Sequence, residues 1–144
     1  MKISEERLRK YVRKIDHILT CISYIDEWLR EITPNDFLHD IKTKLAVYKA
    51  FQEIVDATMD ICAMLCKDMG IPPSDDYTNI EKLYEKKIIN TSLKDALFRS
   101  NGLRNRLIHH YNKLDDTIAY ESITELIPKI LEFVRVVEKW IYSK

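Results

Sequence analysis

Residues 37–69 read FLHDIKTKLAVYKAFQEIVDATMDICAMLCKDM, and their apolar residues recur every three or four positions. This spacing places the apolar side chains on one face of an α-helix. Gly70 follows the segment, and glycine is a common stop at a helix C-terminus because it tolerates left-handed backbone angles. We therefore predict one long helix from about Phe37 to Met69.

The segment before it has the same helical rhythm. Ser4 can open a first helix, whose apolar stripe consists of Ile15, Ile18, Leu19, Ile22, Ile25 and Leu29. That helix should run to about Ile32. Pro34 then breaks it, because the residue before a proline is pushed away from helical angles, and Asn35 or Asp36 can cap the next helix. Two long helices joined by a short link predict an antiparallel hairpin.

Two further helices are predicted after this hairpin. The break at residues 71–76 contains two consecutive prolines and leads into a short helix at about 78–87. Thr91 or Ser92 can then cap a fourth helix that fades near Lys113.

The last helix should begin at Asp115 or Asp116 and continue through Trp140. Pro128 lies well inside it and should kink the helix or mark a late start, because proline has no backbone N–H to donate. The chain has only 2 glycines and 4 prolines among 144 residues, too few turn-formers for an all-β sandwich. The expected fold is all-α: one domain over residues 1–144, built as an antiparallel bundle of about five helices.

The charge balance limits the function classes that fit the chain. Lys+Arg and Asp+Glu are both 23, so no global positive field attracts nucleic acid, and RNA or DNA would have to bind a local patch. No apolar run approaches the roughly 18 residues that span a bilayer. We expect a soluble, cytoplasmic protein without a membrane segment.

The three cysteines favour packing roles. Cys21, Cys62 and Cys66 are odd in number and lie in largely apolar helical surroundings, unlike the even sets of secreted disulfide frameworks. Cys62 and Cys66 are four residues apart, but no second His or Cys pair completes a zinc set at familiar spacing. We expect free buried thiols, no metal and no cofactor, and plain solvent or core roles for His17 and His39.

Residues 104–111 read RNRLIHHY, which places polar groups inside a segment with the apolar rhythm of a buried helix. On a helical wheel one stripe contains Leu93, Leu97, Arg104, Leu107, Ile108 and Tyr111. A neighbouring stripe contains Phe98, Gly102, Asn105, His109 and Asn112. Glycine in mid-helix is unfavourable, so Gly102 should allow another backbone or a ligand to come close.

These residue types suggest cleavage of RNA without a metal. A guanidinium near a buried face is expensive unless paired, and it is well suited to hold a phosphate. A histidine titrates near neutrality and can take or give the proton that attack by a ribose 2′-hydroxyl requires. Arg104 and His109 are the candidate pair.

One straight helix does not aim Arg104 and His109 at a single point, because five residues correspond to about 140° on the wheel. Two copies that meet across a two-fold axis would gather two arginines and two histidines into one cleft. A basic rim for the RNA backbone would then consist of Arg99, Arg106, His110 and Lys113.

Other interpretations of the same residues stay open. A helical arginine and a histidine five residues apart are most often surface or capped core residues. The chain could be a non-catalytic partner subunit of a nucleotidyltransferase that binds a nucleotide or RNA, or a helical bundle without any ligand.

The motif resembles that of the HEPN superfamily, R-x(4–6)-H, and its fuller form R-x(4)-H-x-Y is similar to that of HepT toxins from HepT/MntA toxin-antitoxin pairs. Arg104, His109 and Tyr111 match the fuller form, and His110 occupies its free position. The likeness extends over nearly the whole chain, through the helical hairpin, the double-proline break, the motif helix and an aspartate-led last helix.

The resemblance implies an all-helical homodimer that acts as a ribonuclease toxin of a type VII-like system. Arg104 and His109 would be the catalytic pair, supported by Asn105. The antitoxin, a minimal nucleotidyltransferase, would use ATP to transfer AMP to Tyr111. Phosphate and adenosine added beside Arg104 would pair the arginine internally and fill the cleft that RNA must enter.

Overall fold

A computed structural model of the chain describes residues 2–144, and these residues contain six α-helices and no β-strand. The helices are α1 (Glu5–Leu29), α2 (Pro34–His39), α3 (Ile41–Asp68), α4 (Asp76–Glu85), α5 (Thr91–His109) and α6 (Asp116–Tyr142). One turn of 3-10 helix, Tyr111–Lys113, lies between α5 and α6. The predicted all-helical bundle is confirmed.

The first two predicted helices form the expected hairpin, since α1 packs along α3. Its core is apolar and almost fully buried, with Tyr11, Ile15, Ile18, Ile22 and Ile25 from α1 lying among the buried residues of α3. Helices α4 and α5 pack against α3, and α6 packs against α1, α2 and α5. Within residues 2–144, no helix combines the length and the apolar character needed to cross a membrane.

The helix predicted from Phe37 to Met69 is divided into α2 and α3 at Asp40. Asp40 has an extended ψ of 92°, and its carboxylate accepts a hydrogen bond of 3.1 Å from the backbone N–H of Thr43. This cap opens a new helix at Ile41. Helix α2 is capped in turn by Thr33, in a reciprocal box with Asp36, rather than by Asn35 or Asp36 themselves.

The later helices differ from the prediction mainly at their first residues. Helix α4 begins at Asp76 rather than Thr78, and Asn90 instead of Thr91 or Ser92 caps α5 by accepting a 2.8 Å hydrogen bond from Leu93 N–H. Helix α6 continues through Pro128 without a second start.

The predicted burial of the cysteines is confirmed, because Cys21, Cys62 and Cys66 are all buried and none of them forms a disulfide bond. Burial raises the pKa of the Cys62 thiol, and the nearby carboxylate of Asp76 acts in the same direction. Deprotonation of this thiol is therefore disfavoured at neutral pH.

The end of α3 is tied to the start of α1 by a charged cluster. Asp68 accepts hydrogen bonds from Tyr11 Oη at 2.6 Å and from Arg7 Nε and Nη2 at 3.2 and 3.0 Å. The side chains of Arg7 and Asp68 are only 23% and 15% exposed. A charge that is largely removed from water and fully paired becomes costly when one partner is deleted.

Asp68→Ala should therefore lower the free energy of unfolding by about 1–3 kcal/mol, because Arg7 and the Tyr11 hydroxyl lose their acceptor. The matched control is Asp60→Ala, which breaks the exposed Lys14–Asp60 pair on the same helix and should cost about 0–1 kcal/mol. Urea unfolding followed by circular dichroism measures both values. Equal losses in the two variants would contradict the structural role given to Asp68.

Candidate functional site

Arg104 lies on the inner side of α5, between buried Leu103 and buried Leu107, and its side chain is 18% exposed. The predicted apolar stripe is only partly buried, because Leu107 lies in the core whereas Ile108 is 46% exposed. The guanidinium thus enters the bundle next to the core, as the wheel predicted.

Three side chains from three helices hold the Arg104 guanidinium. Nη1 donates to Asp56 of α3, Nη2 donates to Asp76 of α4 at 3.1 Å, and Nη2 also donates to Asn101 of α5 at 2.9 Å. One positive charge therefore faces two carboxylates. The pairing that a half-buried arginine requires is supplied within the chain.

The position of Asp76 is fixed by the loop that precedes α4. Asn79 is buried, and its side chain accepts a 2.8 Å hydrogen bond from Ser74 N–H and donates one of 3.1 Å to the Ser74 carbonyl. The double-proline segment is thereby fastened to the first turn of α4. This fastening brings the Asp76 carboxylate to Arg104.

The guanidinium still has an unused donor. Arg104 Nε is buried and has no hydrogen-bond partner within residues 2–144. A buried N–H without an acceptor is unfavourable. Because Nε is covered by the protein, the guanidinium would have to turn outward before an added acceptor, such as a phosphate oxygen, could reach this donor.

Asn105 and His109 lie on the outer side and at the end of α5. Asn105 is half-buried, His109 is exposed, and neither side chain makes a hydrogen bond within the described part of the chain. No hydrogen bond there joins Arg104 to His109. A single chain therefore presents an anchored arginine and a free imidazole as separate groups.

The motif helix ends four residues earlier than predicted, at His109 instead of near Lys113. His110 forms the C-cap with φ −134° and ψ 32°, and Tyr111 begins the 3-10 turn. The wheel therefore does not apply to Tyr111, and its predicted place on the Arg104 stripe is wrong. The cause is the non-helical backbone at His110.

Tyr111 rests on the end of the bundle formed by α3 and α6. Its ring is 41% exposed and meets the edge of Tyr48 at a centroid distance of 6.2 Å. Tyr48 Oη donates a 2.5 Å hydrogen bond to Asp116 Oδ1, and Lys44 Nζ contacts Asp116 Oδ2 at 2.9 Å. Tyr48, held in place by these contacts, covers one side of the Tyr111 ring, and the rest of that ring is exposed to solvent.

The same network shifts two pKa values. Burial, followed by the hydrogen bond to Asp116, raises the pKa of Tyr48 far above its usual range. Burial acts to raise the pKa of Asp116 as well, but the hydrogen bonds from Tyr48 and Lys44 outweigh it and lower that pKa. Tyr48 is therefore neutral and Asp116 ionised at neutral pH.

The four predicted rim residues fall into two groups. Arg99 is engaged by Glu125 through two hydrogen bonds of 3.2 and 3.1 Å, which lower the pKa of Glu125. Arg106, His110 and Lys113 are exposed, and their side chains make no hydrogen bond within residues 2–144.

Gly102 faces a side chain rather than a backbone. A methyl group at this position would lie 3.6 Å from the hydroxyl of Tyr77, an ordinary van der Waals contact. Gly102 also lines a cleft of about 340 Å³ together with Tyr77, Phe98, Arg99 and Arg106. The chain itself leaves room for a Cβ, so the expected close approach of a backbone does not occur within one copy.

Sequence reasoning missed Asp56, Asp76 and Asn101, although two of them left a signal. Asn101 precedes Arg104 by three residues, which is contact distance on a helix, and Asp76 ends the double-proline break. Asp56 is one of three carboxylates in the middle of α3, with Glu53 and Asp60, and nothing in the sequence distinguishes it from the other two. Its pairing with Arg104 across 48 positions depends on the tertiary fold.

Known proteins match this chain in sequence over most of its length. The family model described as "Ribonuclease HepT-like" matches residues 18–137. A protein of Archaeoglobus fulgidus named "Putative RNase" is 36% identical over 135 residues, which cover 92% of this chain and 93% of that protein. The "tRNA nuclease HepT" of Aphanizomenon flos-aquae is 26% identical over 144 residues, covering 98% of this chain and 91% of that protein.

A solved structure has the same fold. The tri-AMPylated HEPN toxin of Shewanella oneidensis, in complex with an MNT antitoxin, superposes with a TM-score of 0.84 at 21% identity and covers 95% of this chain and 99% of that chain. The match over residues 18–137 and the 36% identical relative show that the chain belongs to the HepT-like ribonuclease family.

Proposed function

We propose that the chain is a ribonuclease toxin that works as a homodimer, with Arg104 and His109 as its catalytic pair. The observation that carries the proposal is the anchored guanidinium of Arg104, held by three helices within the last turns of the helix that ends in exposed His109. A fixed arginine and a free imidazole are the two groups that phosphodiester cleavage needs.

The proposed reaction begins at the ribose 2′-hydroxyl. Neutral His109 removes its proton, and the 2′-oxygen forms a bond to phosphorus. The P–O5′ bond then breaks, and the 5′-oxygen takes up a proton from water. Arg104 stabilises the charge that develops on the phosphate oxygens. Asn105, half-buried beside Arg104, supports the pair.

A dimer would bring together Arg104 and His109, which lie apart within one chain. Arg104 points into the bundle and His109 lies exposed at the helix end, so the two groups do not meet within one copy. Two copies related by a two-fold axis would bring the arginine of one to the histidine of the other. Gly102, whose Cβ position is not filled by backbone of its own chain, permits such an approach.

The proposed RNA contacts come from the exposed cations near the same helix end. Arg106, His110 and Lys113 are free to meet the phosphate backbone. Arg99 must first leave Glu125, and a solvent-exposed pair of this kind contributes little stability.

We further propose that a nucleotidyltransferase antitoxin neutralises the toxin by AMPylation of Tyr111 with ATP as the donor. Two observations support this step: Tyr111 is exposed at the end of the motif helix, and the Shewanella oneidensis toxin of the same fold is AMPylated and bound to an MNT antitoxin. Because Arg104 is already paired with Asp56 and Asp76, AMP would act by filling the entrance and adding negative charge there.

The purified, unmodified protein should cleave RNA in the presence of EDTA, and His109→Ala should abolish cleavage. Arg104→Lys should also be inactive, since lysine keeps the charge but lacks the planar fork that binds phosphate. Gel analysis of RNA fragments provides the measurement. Equal activity in the wild type and in His109→Ala would refute the assignment.

The composite site has its own test. Co-expression of His109→Ala and Arg104→Lys chains under different tags should yield mixed dimers that regain activity, because one arginine and one histidine are intact. Mixed dimers as inactive as either parent would contradict a site shared between copies. Sedimentation analysis confirms that the isolated species is a dimer.

Asp76→Ala should lower kcat about tenfold or more with little change in RNA affinity, because a misplaced catalytic group is costly. Asp75→Ala is the matched control, since it removes the same charge one residue earlier, where no cap hydrogen bond is made and Arg104 is not contacted. Asp76→Asn retains an acceptor and should recover part of the rate. Equal kcat in the Asp75 and Asp76 variants would show that Asp76 does not position Arg104 for catalysis.

Co-expression with the antitoxin should add whole AMP units to the intact mass, and Tyr111→Phe should abolish the first addition. Tyr142→Phe is a suitable control, because Tyr142 is also exposed and lies at the far end of α6. Peptide mass spectrometry locates the group. AMP found on residues other than Tyr111 in the wild type would count against the proposal.

A second candidate function is favoured by one observation. Arg104 is already hydrogen-bonded to two carboxylates and an amide, as expected for an arginine that only holds α3, α4 and α5 together. The chain would then be a non-catalytic partner subunit of a nucleotidyltransferase that binds nucleotide or RNA. Co-purification with that partner and nucleotide binding without cleavage would favour this alternative.

A further inference from the structure

We propose that His17, Cys21 and Glu53 form a zinc-binding site on the outer face of the α1–α3 hairpin. The site uses none of the residues assigned to RNA cleavage. The zinc-binding proposal therefore does not depend on the proposed ribonuclease activity.

The three side chains converge from two helices. His17 and Cys21 are four residues apart on α1, so they project from adjacent turns of one face. Glu53 reaches them from α3, with His17 Nε2 lying 3.1 Å from Glu53 Oε1 and 3.7 Å from Cys21 Sγ. The potential ligand atoms all lie within 4.8 Å of one another.

These separations fit a tetrahedral ion. With zinc bonds of about 2.0–2.3 Å to nitrogen, oxygen and sulfur, ligand atoms of one tetrahedron lie about 3.2–3.8 Å apart. The distances of 3.1 and 3.7 Å from His17 Nε2 are close to this interval without any change of backbone. Small rotations of the Glu53 side chain, which is 40% exposed, can bring the third edge into range.

The site is open on one side and closed on the other. Cys21 is buried, whereas His17 and Glu53 are partly exposed and border a cleft of about 360 Å³ that also contains Arg13, Asp56 and Asp60. An ion can therefore reach His17 and Glu53 from solvent, bind the Cys21 thiolate behind them and keep its fourth position for water.

The charged residues of the cleft leave no excess positive charge to oppose a cation. Lys14 is paired with Asp60 at 2.7 Å, and Asp56 is paired with Arg104. Glu53 and Arg13 are the other charged residues in the lining of the cleft, and their charges balance.

The donor set selects zinc over the common hard cations. Thiolate, imidazole and carboxylate are the three side-chain ligands that zinc accepts, whereas magnesium and calcium prefer oxygen ligands alone. Binding replaces the thiol proton of Cys21, which is released to the buffer. An ion bound to both α1 and α3 would also stabilise the hairpin by mass action.

The test titrates the full-length wild-type protein with Co²⁺ and then with Zn²⁺. One equivalent of Co²⁺ should produce a sulfur-to-cobalt charge-transfer band and the visible spectrum of a tetrahedral ion, and Zn²⁺ should displace it. Loss of an outer-sphere partner costs about 10–100-fold in metal affinity, so removal of a ligand in His17→Ala should weaken zinc binding at least about tenfold. Cys21→Ser should remove the charge-transfer band.

The control is His39→Ala, which deletes an exposed histidine on α2 and should leave zinc affinity unchanged. Glu53→Gln provides a second ligand variant with nearly unchanged shape, and circular dichroism verifies that each variant is folded. Zinc should raise the melting temperature of the wild type and of His39→Ala, but not that of His17→Ala. A charge-transfer band that persists in Cys21→Ser, or zinc affinity equal in His17→Ala and the wild type, would overturn the proposal.

Discussion

The guanidinium of Arg104 is hydrogen-bonded to side chains of three helices, α3, α4 and α5. It is mostly withdrawn from water, and a charge in that position is tolerated only with partners. Asp56 provides one from α3, Asp76 one from α4, and Asn101 one from α5 itself. The relative placement of these helices and the position of the proposed catalytic arginine are therefore set by the same hydrogen bonds.

This arrangement makes stability and chemistry inseparable at Arg104. The two carboxylates that keep the side chain in one orientation also neutralise its charge, so the arginine attracts anions weakly over distance. What it offers a phosphate is a fixed direction rather than a strong field. The exposed cations near the end of α5 have the complementary character, because they are free to move and carry uncompensated charge. We infer that the exposed cations near the end of α5 attract anions, whereas Arg104 fixes the orientation of a bound phosphate.

The bundle could be predicted from the sequence because its helices are long, periodic and well punctuated. The predicted helix boundaries are wrong at two places, Asp40 and His110, where another local structure competes with the helix. Asp40 lies inside an apparently continuous helical pattern, yet its carboxylate bonds Thr43 N–H and starts a new helix. At His110 no proline or glycine announces the end of α5, and the turn that follows packs Tyr111 on Tyr48. Such packing depends on distant parts of the chain.

The candidate site was predictable to the same extent. Arg104, Asn105, His109 and Tyr111 are neighbours in sequence, so the motif and its family resemblance were visible at once. The partners of Arg104 were not, because Asp56 and Asp76 lie 48 and 28 positions away. Their identity follows from helix packing, which a single sequence does not specify. The roles of the motif residues in catalysis and modification remain predictions.

Because the backbone at His110 is not helical, His109 and Tyr111 belong to different structural elements. His109 belongs to a rigid helix whose orientation is set inside the bundle, whereas Tyr111 belongs to a short turn supported by Tyr48. Substitutions in the turn can thus alter how the tyrosine is presented without displacing the helix. Changes in the turn would therefore affect the proposed modification site and leave the proposed catalytic residues of α5 in place.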